Sequence, residues 1–182
     1  MGFTNIQYQH GIESDDLLAS SVLNNRGSHV MVTSDEDMYQ MLDHCAIYNH
    51  RKKAIFNKKM FMETYGIRPS QWVDVKRLAG CTSDKIPGIP GVGVITAIAY
   101  IKNELKSGKK LDGIEKDVHK EVESIFHRND WLVRLPMPET KKVKLSFADE
   151  TLSLDGFRIV CQDNSFRFLD RLARDEWVQF LG

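Results

Sequence analysis

Ile86-Pro-Gly-Ile-Pro-Gly-Val-Gly-Val-Ile-Thr-Ala97 sets three glycines, Gly88, Gly91 and Gly93, around apolar side chains and then enters a helical period. Gly91 and Gly93 allow a tight turn with positive φ, and they let backbone amides approach an anion with no side chain in the way. The N-terminus of the following helix adds partial positive charge for the same anion. A hairpin of this kind grips a phosphate backbone without reading bases. Gly-x-Gly alone is equally a plain turn between two helices. The context Ile-Pro-Gly-Val-Gly-x-x-Thr-Ala is much more specific.

Working outward from the hairpin, Gly80 to Gly93 reads as a Gly/Pro loop and about Val94 to Leu105 as a helix. A Gly/Lys-rich turn follows at Ser107 to Lys110, then a single helix over about Ile114 to Phe126. Upstream, Phe61, Tyr65, Trp72, Val75 and Leu78 keep a helical period. Before the basic stretch Asn49 to Lys53 the pattern changes to alternating strands and helices. Phe3 to Tyr8 alternates like a half-buried strand. Asp15 to Arg26 reads as a helix with acids in its first turn and Gly27 just past its end. His29 to Thr33 is a short apolar strand, and Ser34 caps a helix holding Met38, Met41 and Leu42. This order predicts a parallel α/β layer whose sheet ends at the basic stretch Asn49 to Lys53. In the tail, Lys141 to Leu154 and Phe157 to Cys161 read as extended, and Phe166 to Leu181 as helical.

Two acidic clusters stand out, Glu13-Ser-Asp-Asp16 at a helix start and Asp35-Glu-Asp37 after a strand end. Open α/β sheets place ligands beyond the carboxyl ends of their strands, so both clusters face one crevice. Carboxylates gathered so closely need a cation. With no His or Cys among them, the donor set suits a hard ion, Mg²⁺ or Mn²⁺, rather than zinc. Such ions in a pair clamp the attacking and leaving oxygens of a phosphodiester. Acids in a first helical turn also occur simply because they favour the helix dipole. The doublet Asp15-Asp16 argues against that reading, since adjacent carboxylates repel.

The 182 residues carry no net formal charge, so attraction to nucleic acid must come from local patches. Apolar residues make up 42% and charged residues 27%, an ordinary globular composition. Three cysteines, Cys45, Cys81 and Cys161, are odd in number and too far apart for a zinc pattern, which favours reduced thiols. No apolar run approaches the roughly 20 residues of a membrane helix, and no secretory leader opens the chain. The expectation is a cytoplasmic protein, in a bacterial or phage-infected cell, with no membrane partner.

Read in order, four blocks resemble the structure-specific 5′-nuclease family of 5′→3′ exonucleases and flap endonucleases. Gly11-Ile-Glu-Ser-Asp-Asp-Leu-Leu-Ala19 is similar to its Gly-x-Glu-Ala-Asp-Asp block, and Thr33-Ser-Asp-Glu-Asp-Met-Tyr-Gln-Met-Leu42 to its Ser-x-Asp-x-Asp block. Tyr65-Gly-Ile-Arg-Pro-Ser-Gln71 resembles the helix entering the DNA-binding element, and Gly80 to Gly93 the stretch joining the second metal cluster to the helix-hairpin-helix. The likeness spans roughly residues 8 to 105. It implies an α/β fold with a partial PIN-like parallel sheet over 1–57, a mostly helical helix-hairpin-helix DNA-binding region over 58–131, and a C-terminal segment, 132–182, packed back on the catalytic region.

By that resemblance Glu13, Asp15, Asp16 and Asp35 are first-cluster ligands, with Asp16 and Asp35 also catalytic, while Asp37 and Asp84 serve the second metal. Gly88, Gly91, Val92, Gly93 and Thr96, with Lys52 and Lys53, hold DNA at 5′ flaps, duplex ends or junctions, with K⁺ on nearby carbonyls. The implied reaction is metal-dependent phosphodiester hydrolysis. Three departures accompany it. The family's opening strand, which ends in a metal-site Asp, and its basic arch are missing, so a separate polypeptide is expected to supply them. Cys81 stands where the family has Asp, and Ile95 where a Lys is common. The alternative reading is a non-catalytic DNA-binding module of the same descent.

Overall fold

The computed structural model describes residues 5–120, 123–146 and 154–163. They divide into two units, residues 8–144 and the two chain ends, 1–7 with 145–182. In the first unit the elements run α1 (Ser14–Asn24), β1 (Val30–Val32), a 3₁₀ turn (Asp37–Met41), β2 (Ala46–Asn49), β3 (Ala54–Phe56) and α2 (Lys58–Tyr65). A second 3₁₀ turn (Pro69–Gln71), α3 (Trp72–Ala79), β4 (Gly80–Cys81), β5 (Ile86–Pro87), α4 (Val94–Ile101), α5 (Lys109–Val118) and α6 (Ile125–Val133) complete it.

The sheet is mixed rather than parallel. β1 pairs β2 in parallel, with Met31 opposite Ile47, and β2 pairs β3 antiparallel, with Tyr48 opposite Ile55. The sheet therefore does not end at Asn49: the basic stretch is the turn of a hairpin. Asn49 Oδ1 accepts from the amides of Arg51 and Lys52 at 3.0 and 2.9 Å, which makes a side chain close the turn. Two strands of three and four residues with a charged turn leave little period to read. β1 lies at an edge, and Val30 and Val32 are exposed on it.

An aromatic cluster joins this sheet to the helices after it. The Tyr39 ring lies 5.0 Å from that of Phe56 and 5.6 Å from that of Trp72, and Phe61 meets Trp72 edge-on at 5.5 Å. Phe61 and Trp72 are completely buried, and truncating such a side chain costs about 3–5 kcal/mol. The boundary expected at residue 57 thus runs through one continuous core. α2 is delimited locally: Asn57 Oδ1 caps the Met60 amide at 3.1 Å, and Gly66, at φ 67, ends the helix.

Other expectations need correction. Residues 5–9 form no strand, because side chains replace ladder partners: Gln9 donates to the Glu139 carbonyl at 3.0 Å and accepts from the Lys141 amide at 2.7 Å. The helix after Ser34 shrinks to the 3₁₀ turn Asp37–Met41, capped from Asp35 rather than Ser34. The single helix of 114–126 is two, α5 and α6, and α5 begins at Lys109. Buried Asp117 separates them. Its carboxylate accepts from the amides of Ile125 and Phe126 at 3.1 and 2.9 Å and from Ser124 Oγ at 3.2 Å. Asp117→Ala is expected to lower stability by about 1–3 kcal/mol, since buried amides lose their acceptor. Urea unfolding with an unchanged slope and a lower midpoint checks it.

In the second unit Asn5 exchanges hydrogen bonds with the Ser146 backbone at 2.7 and 2.8 Å. Leu154–Asp163 form a helix, α7, so Phe157 to Cys161 is not extended. Residues 141–146 lack regular structure, while the rest of the extended stretch up to Ser153 and the helix expected over 166–181 fall outside the described residues.

Candidate metal centre and nucleic-acid interface

Three chain segments bring carboxylates together. At the carboxyl end of β1 the chain turns sharply: the Asp35 amide donates to Thr33 Oγ1 at 3.1 Å, and Asp35 Oδ1 accepts from the Asp37 amide at 2.8 Å. This sequence of side-chain turns fixes Asp35 and Asp37 beside each other. Glu13 sits at the cap position of α1 without bonding the helix amides, and Asp15 follows in the first turn. Asp84 lies on the tight connection between β4 and β5, where Thr82 O accepts from the Lys85 amide at 3.2 Å.

Glu13, Asp15, Asp35, Asp37 and Asp84 line one cavity of about 300 Å³, closed on its other side by Ile86, Leu132, Val133 and Leu135. Asp16 does not line it. Its carboxylate is buried and accepts from the Met137 amide at 2.6 Å, tying the segment after α6 to α1. A second hollow of about 550 Å³ shares Asp35, Asp37 and Asp84 and adds His50, Arg51, Lys76 and Cys81.

Lys76 is the cation that reaches the cluster, pairing with Asp37 while its side chain is only 11% exposed. Burial pushes the Asp37 carboxyl up from the ordinary carboxylate range, and Asp35 and Asp84 add to that push. Burial alone would lower Lys76, but the Asp37 carboxylate beside it outweighs that effect and holds the ammonium above its usual value. Within the pair each partner favours the charged form of the other, against the burial that opposes both. Cys81 completes this corner: its thiol donates to Asp84 Oδ2 at 2.8 Å and lies 3.0 Å from Ser83 Oγ and 4.0 Å from Lys76 Nζ.

Sequence reasoning passed over Lys76. The signal was present, because Trp72, Val75, Lys76 and Ala79 form one face of α3 and a lysine on a buried face needs a charge partner. Arg51 and His50 bring the basic stretch itself to the rim of the second hollow.

The glycine hairpin is a type II turn. Ile89 O accepts from the Val92 amide at 2.9 Å across Pro90 and Gly91, and Gly91 has φ 76. Val92 is buried as an anchor, whereas Gly91 and Gly93 are exposed, and a Cβ on either would meet nothing within 4 Å. Gly93 begins α4, and Thr96 is half-buried in its first turn. Gly88 is different: a Cβ there would lie 2.2 Å from the Ala79 carbonyl. Lys52 and Lys53 are exposed in the β2–β3 turn, and Lys52 lines a pocket of about 260 Å³ together with Asp35.

The chain is 30% identical over 181 residues to a 5′-3′ exonuclease of Buchnera aphidicola subsp. Schizaphis graminum, matching 93% of the chain and 61% of that protein. It is 36% identical over 190 residues to DNA polymerase I of Mycobacterium leprae, matching 94% of the chain and 20% of the polymerase. It thus spans less than two thirds of either. Among solved structures, a bacteriophage T5 flap endonuclease in a pseudo-enzyme-product complex with DNA and metal ions superposes with a TM-score of 0.59 at 19% identity, over 69% of the chain and 51% of that protein. This likeness concerns the fold, the PIN-like α/β arrangement. No family model matches the chain. Among the described residues no helix is long and apolar enough to cross a membrane.

Proposed function

We propose that the chain belongs to the family of 5′→3′ exonucleases and flap endonucleases and takes part in divalent-metal-dependent hydrolysis of DNA phosphodiesters, at 5′ flaps, duplex ends or junctions. The observation that carries this reading is the convergence of five carboxylates from three separated segments on one cavity. Glu13, Asp15 and Asp35 would hold the first ion. Their oxygen-only donor set fits Mg²⁺ or Mn²⁺, and the like charges need such a counter-ion. Bound there, the metal supplies charge that lowers the barrier to displacement at phosphorus.

The remaining residues bind and orient. Gly91 and Gly93 leave backbone amides open to a phosphate at the start of α4, and Lys52 and Lys53 add charge from the β2–β3 turn. K⁺ on the hairpin carbonyls belongs to the same proposal. So does a second polypeptide, which would pair with the exposed edge of β1 and bring the basic arch. The compartment this reading needs is the cytoplasm of a bacterial or phage-infected cell. Cleavage of 5′-flap and single-stranded DNA with Mg²⁺ or Mn²⁺, run with and without the N-terminal region of a full-length relative, is the direct test. Metal-dependent product in neither mixture sinks the nuclease reading.

A DNA-binding module without catalysis is the second reading, favoured by Asp16 being turned to a backbone amide. Duplex binding without cleavage in either mixture identifies it. Both readings share one prediction. Gly93→Val fits the open space there and keeps the fold, yet should weaken duplex-end binding about tenfold through loss of a charge-assisted phosphate contact. Titration by fluorescence anisotropy at fixed salt checks it, and equal affinity removes the hairpin from the interface.

A further inference from the structure

We propose that Cys81 turns the second half of the acidic site into a centre for thiophilic divalent ions, of the Zn²⁺ and Cd²⁺ kind, in place of Mg²⁺. The inference rests on the metal-centre reading above and concerns only the corner made by Asp37, Cys81 and Asp84. One donor atom from each lies within 4.8 Å of the others. Ligands around a common ion with metal–sulfur and metal–oxygen bonds of about 2.0–2.3 Å stand somewhat closer than that, so modest closure completes the set.

Two further features place the donors. Asp37 Oδ1 is shut off from solvent and paired with the Lys76 ammonium, which holds this carboxylate beside Cys81 and Asp84. The Cys81 thiol is itself buried and aimed at Asp84 Oδ2 at 2.8 Å, so the sulfur already faces the carboxylate with which it would share an ion.

The donor chemistry decides which ion. Mg²⁺ demands near-octahedral oxygen ligands and gains little from sulfur, whereas thiolate selects softer metals and suits a four-coordinate site. Entry of the ion forms the metal–sulfur bond and releases the thiol proton to solvent. Asp84 Oδ2, no longer accepting from the thiol, becomes a ligand. The thiolate and two carboxylates then carry three negative charges, which one divalent ion and the Lys76 ammonium neutralise together. An Asp at position 81 would leave an all-oxygen set suited to a hard ion, so this one side chain sets the preference.

The test uses the full chain and Cd²⁺ alone as the probe, followed by competition with Zn²⁺. The wild type should show the ultraviolet thiolate-to-cadmium charge-transfer band at one equivalent, displaced by Zn²⁺ and not by excess Mg²⁺. Cys81→Ser should lose the band and bind Cd²⁺ more than about tenfold more weakly, at least the loss an outer-sphere partner causes. Asp84→Asn, an exposed position, should keep the fold and still weaken Cd²⁺ by a similar factor. Cys81→Asp should bind Mn²⁺ more tightly than wild type. Absence of the band, or its survival in Cys81→Ser through another cysteine, overturns the proposal. Electron paramagnetic resonance of Mn²⁺ in the same wild-type protein separates the two readings. Mn²⁺ bound without a Cys81-dependent band overturns this inference alone, whereas no bound Mn²⁺ and no band overturn both.

Discussion

Asp35→Asn keeps the fold and lowers metal-dependent cleavage at least about 100-fold, the scale of losing one group that stabilises charge in a transition state. The expectation follows from its position. Asp35 is exposed, it lines the cavity and both neighbouring hollows, and it belongs to no ion pair among the described residues. Its structural duty is to accept the Asp37 amide, and an Asn side-chain carbonyl accepts that bond equally well. The substitution therefore removes one negative charge and little else. Mn²⁺ affinity should fall about tenfold or more in parallel, measured by titration. Cleavage is measured with the N-terminal region of a relative supplied, so that each loss is read against an active wild type. Unchanged cleavage together with unchanged Mn²⁺ affinity removes Asp35 from the metal site. Asp16→Asn behaves differently, because Asp16 holds the Met137 amide from a buried position outside the cavity. A loss there is read first as stability.

Gly88→Ala is the second large effect, and it falls on the fold. A Cβ at 88 would stand 2.2 Å from both the carbonyl carbon and oxygen of Ala79 and 2.7 Å from Leu78 O. All three are backbone atoms at the end of α3, so no side chain can rotate away. The strands at this point cannot separate cheaply, since Ile89 donates to Leu78 O at 2.8 Å and Gly80 faces Pro87 in the β4–β5 pair. Asn129 adds a clamp, donating to the carbonyls of Pro87 and Arg77 at 2.9 and 3.0 Å while completely buried. Overpacking of a rigid site costs about 1–3 kcal/mol and more where backbone must shift, so a loss of about 3 kcal/mol or greater is expected in urea unfolding. Full stability would show that α3 and β5 can part. Gly93→Val and Gly88→Ala together distinguish a glycine open to a ligand from one that allows two backbones to touch.

Residues whose role follows from near neighbours in the chain were legible from the sequence. The carboxylates on either side of β1 and the type II turn at Ile89–Val92 are local patterns, set by a helix start, a strand end and a Pro-Gly pair. The short hairpin β2–β3 was not legible, because strands of three and four residues give no period and the turn is stabilised by one Asn side chain. Asp16 stands outside the cavity for a different reason. Which of two adjacent acids meets a cavity depends on the path of residue 137, more than a hundred positions away. Cys81 meets Asp84 locally, but Lys76 meets Asp37 only through the packing of α3 against the 3₁₀ turn that follows β1. The buried face of α3 signals that Lys76 needs a charge partner without saying which acid supplies it.

The aromatic cluster of Tyr39, Phe56, Phe61, Tyr65 and Trp72 has a consequence for anyone who would transplant this hairpin into another scaffold. Trp72 opens α3, the helix leading into the hairpin, yet its indole packs not only on Tyr65 of α2, at 4.9 Å, but also on Tyr39 from the 3₁₀ turn after β1, at 5.6 Å. Excising residues 58–131 would expose that indole face and leave Phe61 without Tyr39 and Phe56, so the excised piece should melt as a loose collapse rather than as a cooperative solid. The portable unit is residues 8–144, in which the hairpin keeps the half-sheet that braces it.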